Sequence, residues 1–598
     1  MIIQKYTVNH YPVQVILTWI QSGEIAIPEI QRPFVWDATK VRDFVDSLYQ
    51  GYPVGYLIVW KNPNVKLKDG SISQGKRILI DGQQRITALM TALLSKEIVD
   101  KNYRKRRIVI AFNPIEKRFE VSNSVIMKDK TWIADISEIF KPEFKFLDTI
   151  EKYCESNPNV NKNDIYETID SLKGIVNNPI GLIELNSDLD IDVVTEIFIR
   201  INAAGVVLSQ ADFAMSKIAV NENYNGHKIR KAIDYFCHLA KNPDFYDQIK
   251  EIDKEFTQTE YFQKMSWLKD EMDDLYDPSY IDMLRVAFTY KFRRGRLQDL
   301  VALLSGRNFE TRDYEESIAE ESFNKLDEGI KVFMNENNFK KFVMILRSAG
   351  FIDSSMIRSQ NTIDFAYILY LTLQEMQIPK GIIESLVRKW FVLSVLTGRY
   401  SGSSEGQFDY DIKRITDGNP EEYINNVVEA ELSEAYWEFG LPQQLNTAVA
   451  VNPAYNVFLA AQVKMKDKGF LSRDITVDDL IKLKGDVHHI FPKEYLKKFN
   501  YDQNMYNQIA NYVMAQSEIN IAIGAKPPSV YMKEMLEQCN GGPLKYGAIT
   551  SIEELYKNLE MNCIPLEIFD MDIKDYPYFL EKRRKLIAEK IKKYFAML

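Results

Sequence analysis

The sequence predicts an α+β, multi-domain fold: a mixed α/β head, a helical middle and a mostly helical C-terminal domain arranged around two histidines. Three observations carry that expectation. Short β-branched runs alternate with helix-like stretches over roughly the first 220 residues. Apolar residues then recur at helical spacing to about residue 400. Beyond that, His488 and His489 lie side by side in GDVHHIFP, in a chain of 598 residues with 5 histidines. At roughly 100–200 residues per domain such a chain should hold about three. The expected boundaries are 1–225, 226–400 and 401–598.

In the head, LIVW (57–60), RILI (77–80) and RIVIAF (107–112) are brief runs bounded by polar or turn residues, as strands should be. TKVRDFVDSLYQG (39–51) reads as a helix with Gly51 as its stop. Upstream, IPEIQRPFVWD (27–37) places Gln31, Arg32 and Trp36 in one extended segment stiffened by Pro28 and Pro33. RILIDGQQRITALMTALL (77–94) reads as a strand, a tight turn at Asp81-Gly82 and a helix from near Gln83. A helix N-terminus presents free N–H groups and a positive dipole end, which favour phosphate. Gly82 lets a ligand approach the backbone, Gln83 and Gln84 add donors, and Arg85 can grip phosphate oxygens in bidentate fashion. Asp81 beside a phosphate implies a bridging cation or a hydrogen bond to sugar or water. The plain structural account is a turn whose aspartate caps the helix. Further on, FIRINAAGVVLSQADFAMSKI (198–218) sets Arg200 and Asn202 before a small turn and ends in the capping pattern Ser209-x-x-Asp212.

The middle contains SYIDMLRVAFTYKF (279–292), ESFNKLDEGIKVFMNE (321–336) and GIIESLVRKWFVLSVLTG (381–398), all with helical periodicity. RYSGSSEGQFDYD (399–411), rich in Ser, Gly and Asp, reads as a loop or linker. Net charge is −9, against indiscriminate coating of nucleic acid, yet KNYRKRR (101–107), YKFRRGR (290–296) and EKRRKLIAEKIKK (581–593) are basic islands. These are either solvated faces or parts of a phosphate-binding surface. The 4 cysteines form no CxxC pair, so neither a disulfide framework nor a cysteine zinc site is expected. No uncharged apolar run approaches the roughly 18 residues that span a bilayer. The opening MIIQKYTVNHYPV lacks a signal-peptide pattern. A cytoplasmic protein without a membrane partner is the expectation.

In the C-terminal domain, adjacent residues of a strand point to opposite faces, so one of His488 and His489 should turn inward and the other outward. Asn511 follows in the apolar run IANYVMAQ, and Asn520 in SEINIAIG. Hydrolysis of a phosphodiester needs a base to activate water, and an imidazole with a pKa near 6.5 suits that task. A divalent cation bound through a few protein ligands stabilises charge on the scissile phosphate. Mg²⁺ comes first, but imidazole suits transition metals better, so Mn²⁺, Ni²⁺ and Zn²⁺ stay open.

The pattern His-His-Ile-x-Pro, then Asn, then Asn resembles the HNH, or ββα-metal, nuclease motif. That resemblance implies His489 as general base and His488 as first metal ligand. It likewise implies Asn511 as the central residue that orients the base and Asn520 as the final metal-binding position. The three head segments IPxxQRxxVW, IDGQQR and RINxxGxxLSxxD resemble the N-terminal domain of the GmrSD/SspE-type, modification-dependent restriction endonuclease family. WFVLSVLTGRYSGSSE (390–405) is similar to that family's connection into its second half. The resemblance implies a ParB/sulfiredoxin-like head whose DGQQR motif, with Gln31 and Arg32, binds and hydrolyses a nucleoside triphosphate. It further implies a C-terminal HNH domain that cuts or nicks modified phage DNA in bacterial defence. A homo-oligomer is compatible with it. Two alternatives stay open: a nucleoside-triphosphate-dependent sensor with a decayed nuclease domain, and a nuclease acting on cellular RNA.

Overall fold

The computed structural model describes residues 5–26, 36–61, 77–99, 105–187, 210–221, 224–271, 273–313, 315–449, 451–483, 485 and 487–598, with 189, 193 and 197. Gln31, Arg32, Arg200, Asn202 and Ser209 lie outside these residues. The chain divides into two compact units, Met1–Arg230 and Lys231–Leu598.

In the first unit, five strands among the described residues form the main sheet. They are β1 (Tyr6–Pro12), β2 (Ile25–Ala26), β3 (Tyr56–Lys61), β4 (Arg77–Asp81) and, after two small ribbons, β9 (Pro179–Leu185). Their order is β1-β9-β3-β4-β2. β9 runs antiparallel to β1 and parallel to β3, β3 antiparallel to β4, and β4 parallel to β2. The ribbons are β5 (Ile98–Val99) with β6 (Lys105–Arg106), and β7 (Ile110–Asn113) with β8 (Arg118–Val121). One face of the main sheet, carrying Leu57, Val59, Leu79 and Leu182, packs on helices α1 (Val13–Gln21), α2 (Ala38–Tyr49) and α3 (Gln83–Ala92). Asp37 caps α2 by accepting from Lys40 N, and Gly51 follows at a φ of 71°, as the sequence pattern requires. RIVIAF departs from expectation. Its strand begins only at Ile110, because Ile108 donates its N–H to Thr91 Oγ1 of α3 at 2.8 Å instead of to a neighbouring strand.

The second unit is mainly helical. Its described helices include α4 (Tyr280–Phe292), α5 (Glu316–Phe333), α6 (Gln360–Glu375), α7 (Lys380–Thr397), α8 (Ser404–Asp417) and α9 (Pro453–Met465). After α9 come the two-stranded ribbon of β10 (Val487–His489) and β11 (Tyr512–Met514), α10 (Ser517–Ile523) and α11 (Tyr576–Ala596). α4 starts at a capping box, with Ser279 and Asp282 each satisfying the other's backbone N–H. Ser279 is thus the N-cap of the periodic run, and the helix proper begins at Tyr280. The expected linker at 399–411 is a correction: only its first residues form a loop, and from Ser404 it is helical. The reason is tertiary. Arg399 makes a two-pronged ion pair with Asp411, at 2.8 and 2.5 Å, and Tyr400 and Tyr423 donate hydroxyls to the same fully buried carboxylate. Phe408, Ile412 and Ile415 meanwhile enter the core. Ser and Gly composition marks weak local preference, which a buried ion-pair network and apolar face override. Helices on both sides of residue 400 pack against one another, α7 on α9 and both α4 and α6 on α8, within this one unit.

Among the described residues, several side chains of the basic islands pair with carboxylates. Arg107 pairs with Asp135, Lys291 and Arg293 with Glu375, and Arg294 with Asp299. In the last island Lys582, Lys585, Lys590 and Lys592 pair with Glu567, Glu581, Asp467 and Glu434. Among the described residues, no helix is long and apolar enough to cross a membrane.

Candidate functional site

The histidine pair occupies β10, three residues long, paired antiparallel with β11 so that His488 faces Val513 and His489 faces Tyr512. The alternation expected of a strand holds. His488 is buried, while His489 is half-buried among aromatic rings, its own ring centroid 5.3 Å from Tyr512 and 6.3 Å from Tyr506. The chain turns at Pro492 into the short helix Lys493–Lys497.

Asn511 is fully buried and makes no side-chain hydrogen bond to His489. Its Oδ1 accepts from Phe491 N at 2.8 Å, and its Nδ2 donates to Phe491 O and Tyr506 O, both at 3.1 Å. Its carbonyl also accepts from Ile490 N at 2.9 Å. Asn511 therefore ties the loop leaving β10 to the loop entering β11, and its effect on the histidine passes through the backbone. The side chain that meets His489 is Asn507, with Oδ1 at 2.9 Å from Nε2. The sequence reading missed this residue. Its only signal is a polar side chain four positions before Asn511, on the approach to β11.

An amide oxygen facing Nε2 calls for the tautomer with its proton on Nε2, leaving the Nδ1 lone pair to accept a proton. The imidazole pKa lies below the ordinary 6.5, chiefly because burial disfavours the charged ring, with Lys493 and His488 adding repulsion while Asn507 opposes the shift. A histidine so placed is neutral, and hence basic, at neutral pH.

Asn520 lies half-buried on α10, directly after β11, so the order strand, strand, helix places both proposed metal ligands on one small unit. Among the described residues, no group of three or more His, Cys, Asp or Glu is arranged to hold a metal ion. His488 and Asn520 are one imidazole and one amide, neutral donors that leave a cation's charge unbalanced. That donor set fits a cation whose remaining positions are filled by water and by phosphate oxygens, which supply the negative charge.

In the head, β4 runs into α3 as expected, with Gly82 as N-cap at a φ of 98° and no side-chain cap bond. Asp81 therefore does not cap the helix; its carboxylate sits 3.6 Å from Arg85 Nη1. Arg85 Nη1 also donates to Tyr56 O at 3.1 Å, and its guanidinium lies so close to Gly55 that a Cβ there would stand 3.0 Å from Nη2. Gln84 Oε1 accepts from Trp36 N at 3.2 Å, which fastens the end of the IPEIQRPFVWD segment to the DGQQR turn. Gln83 is buried, and among the described residues its Oε1 has no hydrogen-bond partner. Glycine at 82 serves the turn itself: the φ is left-handed, and a Cβ would meet Leu57 Cδ2 at 2.5 Å. What the turn leaves toward a ligand is the uncapped helix start, the buried Gln83 oxygen, and an Asp81–Arg85 pair in which each side chain is about 30% exposed.

Comparison with known proteins places these features. The chain is similar to the uncharacterized protein MJ0686 of Methanocaldococcus jannaschii, with 24% identity over 95% of this chain and 96% of that protein. Residues 13–219 match the family described as "GmrSD restriction endonuclease, N-terminal domain". The matched span holds α1, α2, the DGQQR turn, β9 and most of Gln210–Val220. Over this span the chain is similar to the N-terminal domain of GmrSD restriction endonucleases.

Proposed function

We propose that this protein is a cytoplasmic, modification-dependent DNA endonuclease or nickase of anti-phage defence, with a ParB/sulfiredoxin-like head that binds and hydrolyses a nucleoside triphosphate and an HNH-type site at residues 487–520 that cuts. The observation that carries this reading is the His489–Asn507 contact. It joins a half-buried, neutral imidazole to a strand–strand–helix unit, in a chain whose head is similar to the N-terminal domain of a restriction endonuclease family.

His489 Nδ1 takes the proton of the attacking water, while Asn507 holds the ring by Nε2 and Asn511 holds the loop behind it. His488 and Asn520 are the residues that would hold a divalent cation, which supplies stabilisation of the charge developing on the phosphate. In the head, the uncapped start of α3 receives phosphate oxygens and Arg85 exchanges Asp81 for the ligand.

The test is cleavage of one plasmid, modified and unmodified, with and without each nucleoside triphosphate and with Mg²⁺ or Mn²⁺, alongside an RNA of similar length. His489→Ala should lose at least about a hundredfold in cleavage while keeping nucleotide turnover. Equal cleavage by the variant defeats the assignment. A second reading of the head has its own support, because Gln84 and Arg85 are both engaged with the backbone. If phosphate release survives both Asp81→Ala and Arg85→Ala, DGQQR is a structural turn.

A further inference from the structure

The segment that carries Asn507 has little regular structure of its own. It comprises the four-residue helix Gln503–Tyr506, the single turn Ile509–Asn511 and the start of β11. The last helix holds it near both ends. Tyr576, the first residue of α11, donates its hydroxyl to Met505 O at 2.9 Å. Seven residues later Arg583 Nη1 donates to Ala510 O at 2.9 Å and to Tyr512 O at 2.7 Å, the carbonyls on either side of Asn511. Its Nε and Nη2 reach Asn562 O at 3.3 and 3.0 Å.

Arg583 belongs to the basic run EKRRKLIAEKIKK, yet it faces inward with no exposed surface. All of these partners are backbone carbonyls. A buried cation with no counter-charge among the described residues is an expensive way to fill a core position that an apolar side chain could occupy. What it provides is a rigid planar fork that reaches three carbonyls at set angles. Asn507 lies between the Tyr576 and Arg583 attachments, and it is the side chain on His489.

We propose that Tyr576 and Arg583 are positioning residues for the candidate nuclease site, using α11 as a rigid bar that sets Asn507 against His489. This rests on reading His489 as the base. It gives the C-terminal helix a part in cleavage that its sequence, read as a solvated face or part of a phosphate-binding surface, did not suggest.

The experiment uses the full chain labelled with ¹⁵N-histidine. The His489 imidazole signals are identified by their loss in His489→Ala, and Asn507→Ala serves as reference for a ring without its partner. Tyr576→Phe removes one oxygen and Arg583→Lys keeps the charge but loses the fork. Both should move the His489 signals toward their Asn507→Ala positions while those of His10, His227 and His238 stay in place. Each should lower kcat for cleavage by roughly tenfold or more with little change in KM. Tyr576→Phe added to Asn507→Ala should cost no further activity, since both act on one contact. Should Arg583→Lys fail to fold, Tyr576→Phe alone decides. His489 signals unmoved in Tyr576→Phe, or losses that multiply in the double variant, overturn the proposal. A wild-type chain that cleaves nothing defeats the nuclease reading instead, while the imidazole signals still decide whether α11 positions the ring.

Discussion

The β4–α3 turn and the β10–β11 ribbon of this protein use motif residues in opposite ways. At β4–α3, the motif side chains turn back onto their own neighbourhood: Gln84 onto the backbone of Trp36, and Arg85 onto the backbone of Tyr56 and the carboxylate of Asp81. What they leave for a ligand is mainly the backbone at the start of α3 and the buried Gln83 oxygen. At β10–β11, the buried asparagine, the backbone of Ile490 and Phe491, Tyr531 and Arg583 share the structural burden. Asn507 takes up His489 Nε2, and the reactive nitrogen is set by that partner. Binding phosphate through backbone N–H groups needs the turn to hold its shape, so the motif residues can be spent on the turn. Proton transfer needs one side-chain atom kept available and its environment fixed, so neighbours must carry the structure.

The largest test of this contrast is Asn511→Ala. It removes three hydrogen bonds from a fully buried position and strands the N–H of Phe491, so it should destabilise the second unit by about 3 kcal/mol, read as a lowered denaturant midpoint. A midpoint at the wild-type value would mean that the loop around β10 is held by other contacts. Gly82→Ala comes next in size. A φ of 98° and the contact with Leu57 should together cost about 2 kcal/mol in the first unit, as seen by thermal unfolding. If unfolding is unaffected and nucleotide binding alone is lost, the glycine serves the ligand and not the turn.

Asn507→Asp tests the base itself. His489 acts when neutral, and its pKa is depressed, so wild-type cleavage should fall with decreasing pH only below 6.5. A carboxylate at 507 favours the imidazolium, raises the pKa by roughly one unit, and moves that acidic limb to higher pH. The pH–rate profile decides, and an unmoved limb removes Asn507 from the site. The smallest stability effect is expected for Arg85→Ala. The Asp81–Arg85 pair is partly exposed, so the change in stability should stay within about 1 kcal/mol. Nucleotide turnover should nevertheless drop, and a large loss of stability would instead place Arg85 among the turn's structural residues.

Much of this architecture was legible one residue at a time. β-branched runs bounded by turn residues gave β3 and β4, and the Gly51 stop marked a helix end correctly, because these signals act within a few residues. The histidine pair and Asn511 were legible as a spaced pattern. Their division of labour was less so. Asn511 met Phe491 and Tyr506 in place of the ring, and Asn507 took the ring, a contact across 18 positions that no local preference encodes. The helix at 404–417 was missed for the same reason: its Ser- and Gly-rich start is weak in itself and is stabilised by Asp411 against Arg399.

By itself, then, the sequence determined strands β3 and β4, helix α2, where the turn between β4 and α3 falls, and that one histidine of the pair is buried beside a half-buried neighbour. Those outcomes follow from side-chain alternation, backbone sterics and caps, all of short range. Only the tertiary structure decided that the last basic run turns Arg583 inward, that Lys590 and Lys592 pair with Asp467 and Glu434 far along the chain, and that Asn507 stands at Nε2 of His489. Each of these depends on which distant group is brought within hydrogen-bond distance when the core closes, and burial then makes leaving that group unpartnered more costly than any local preference.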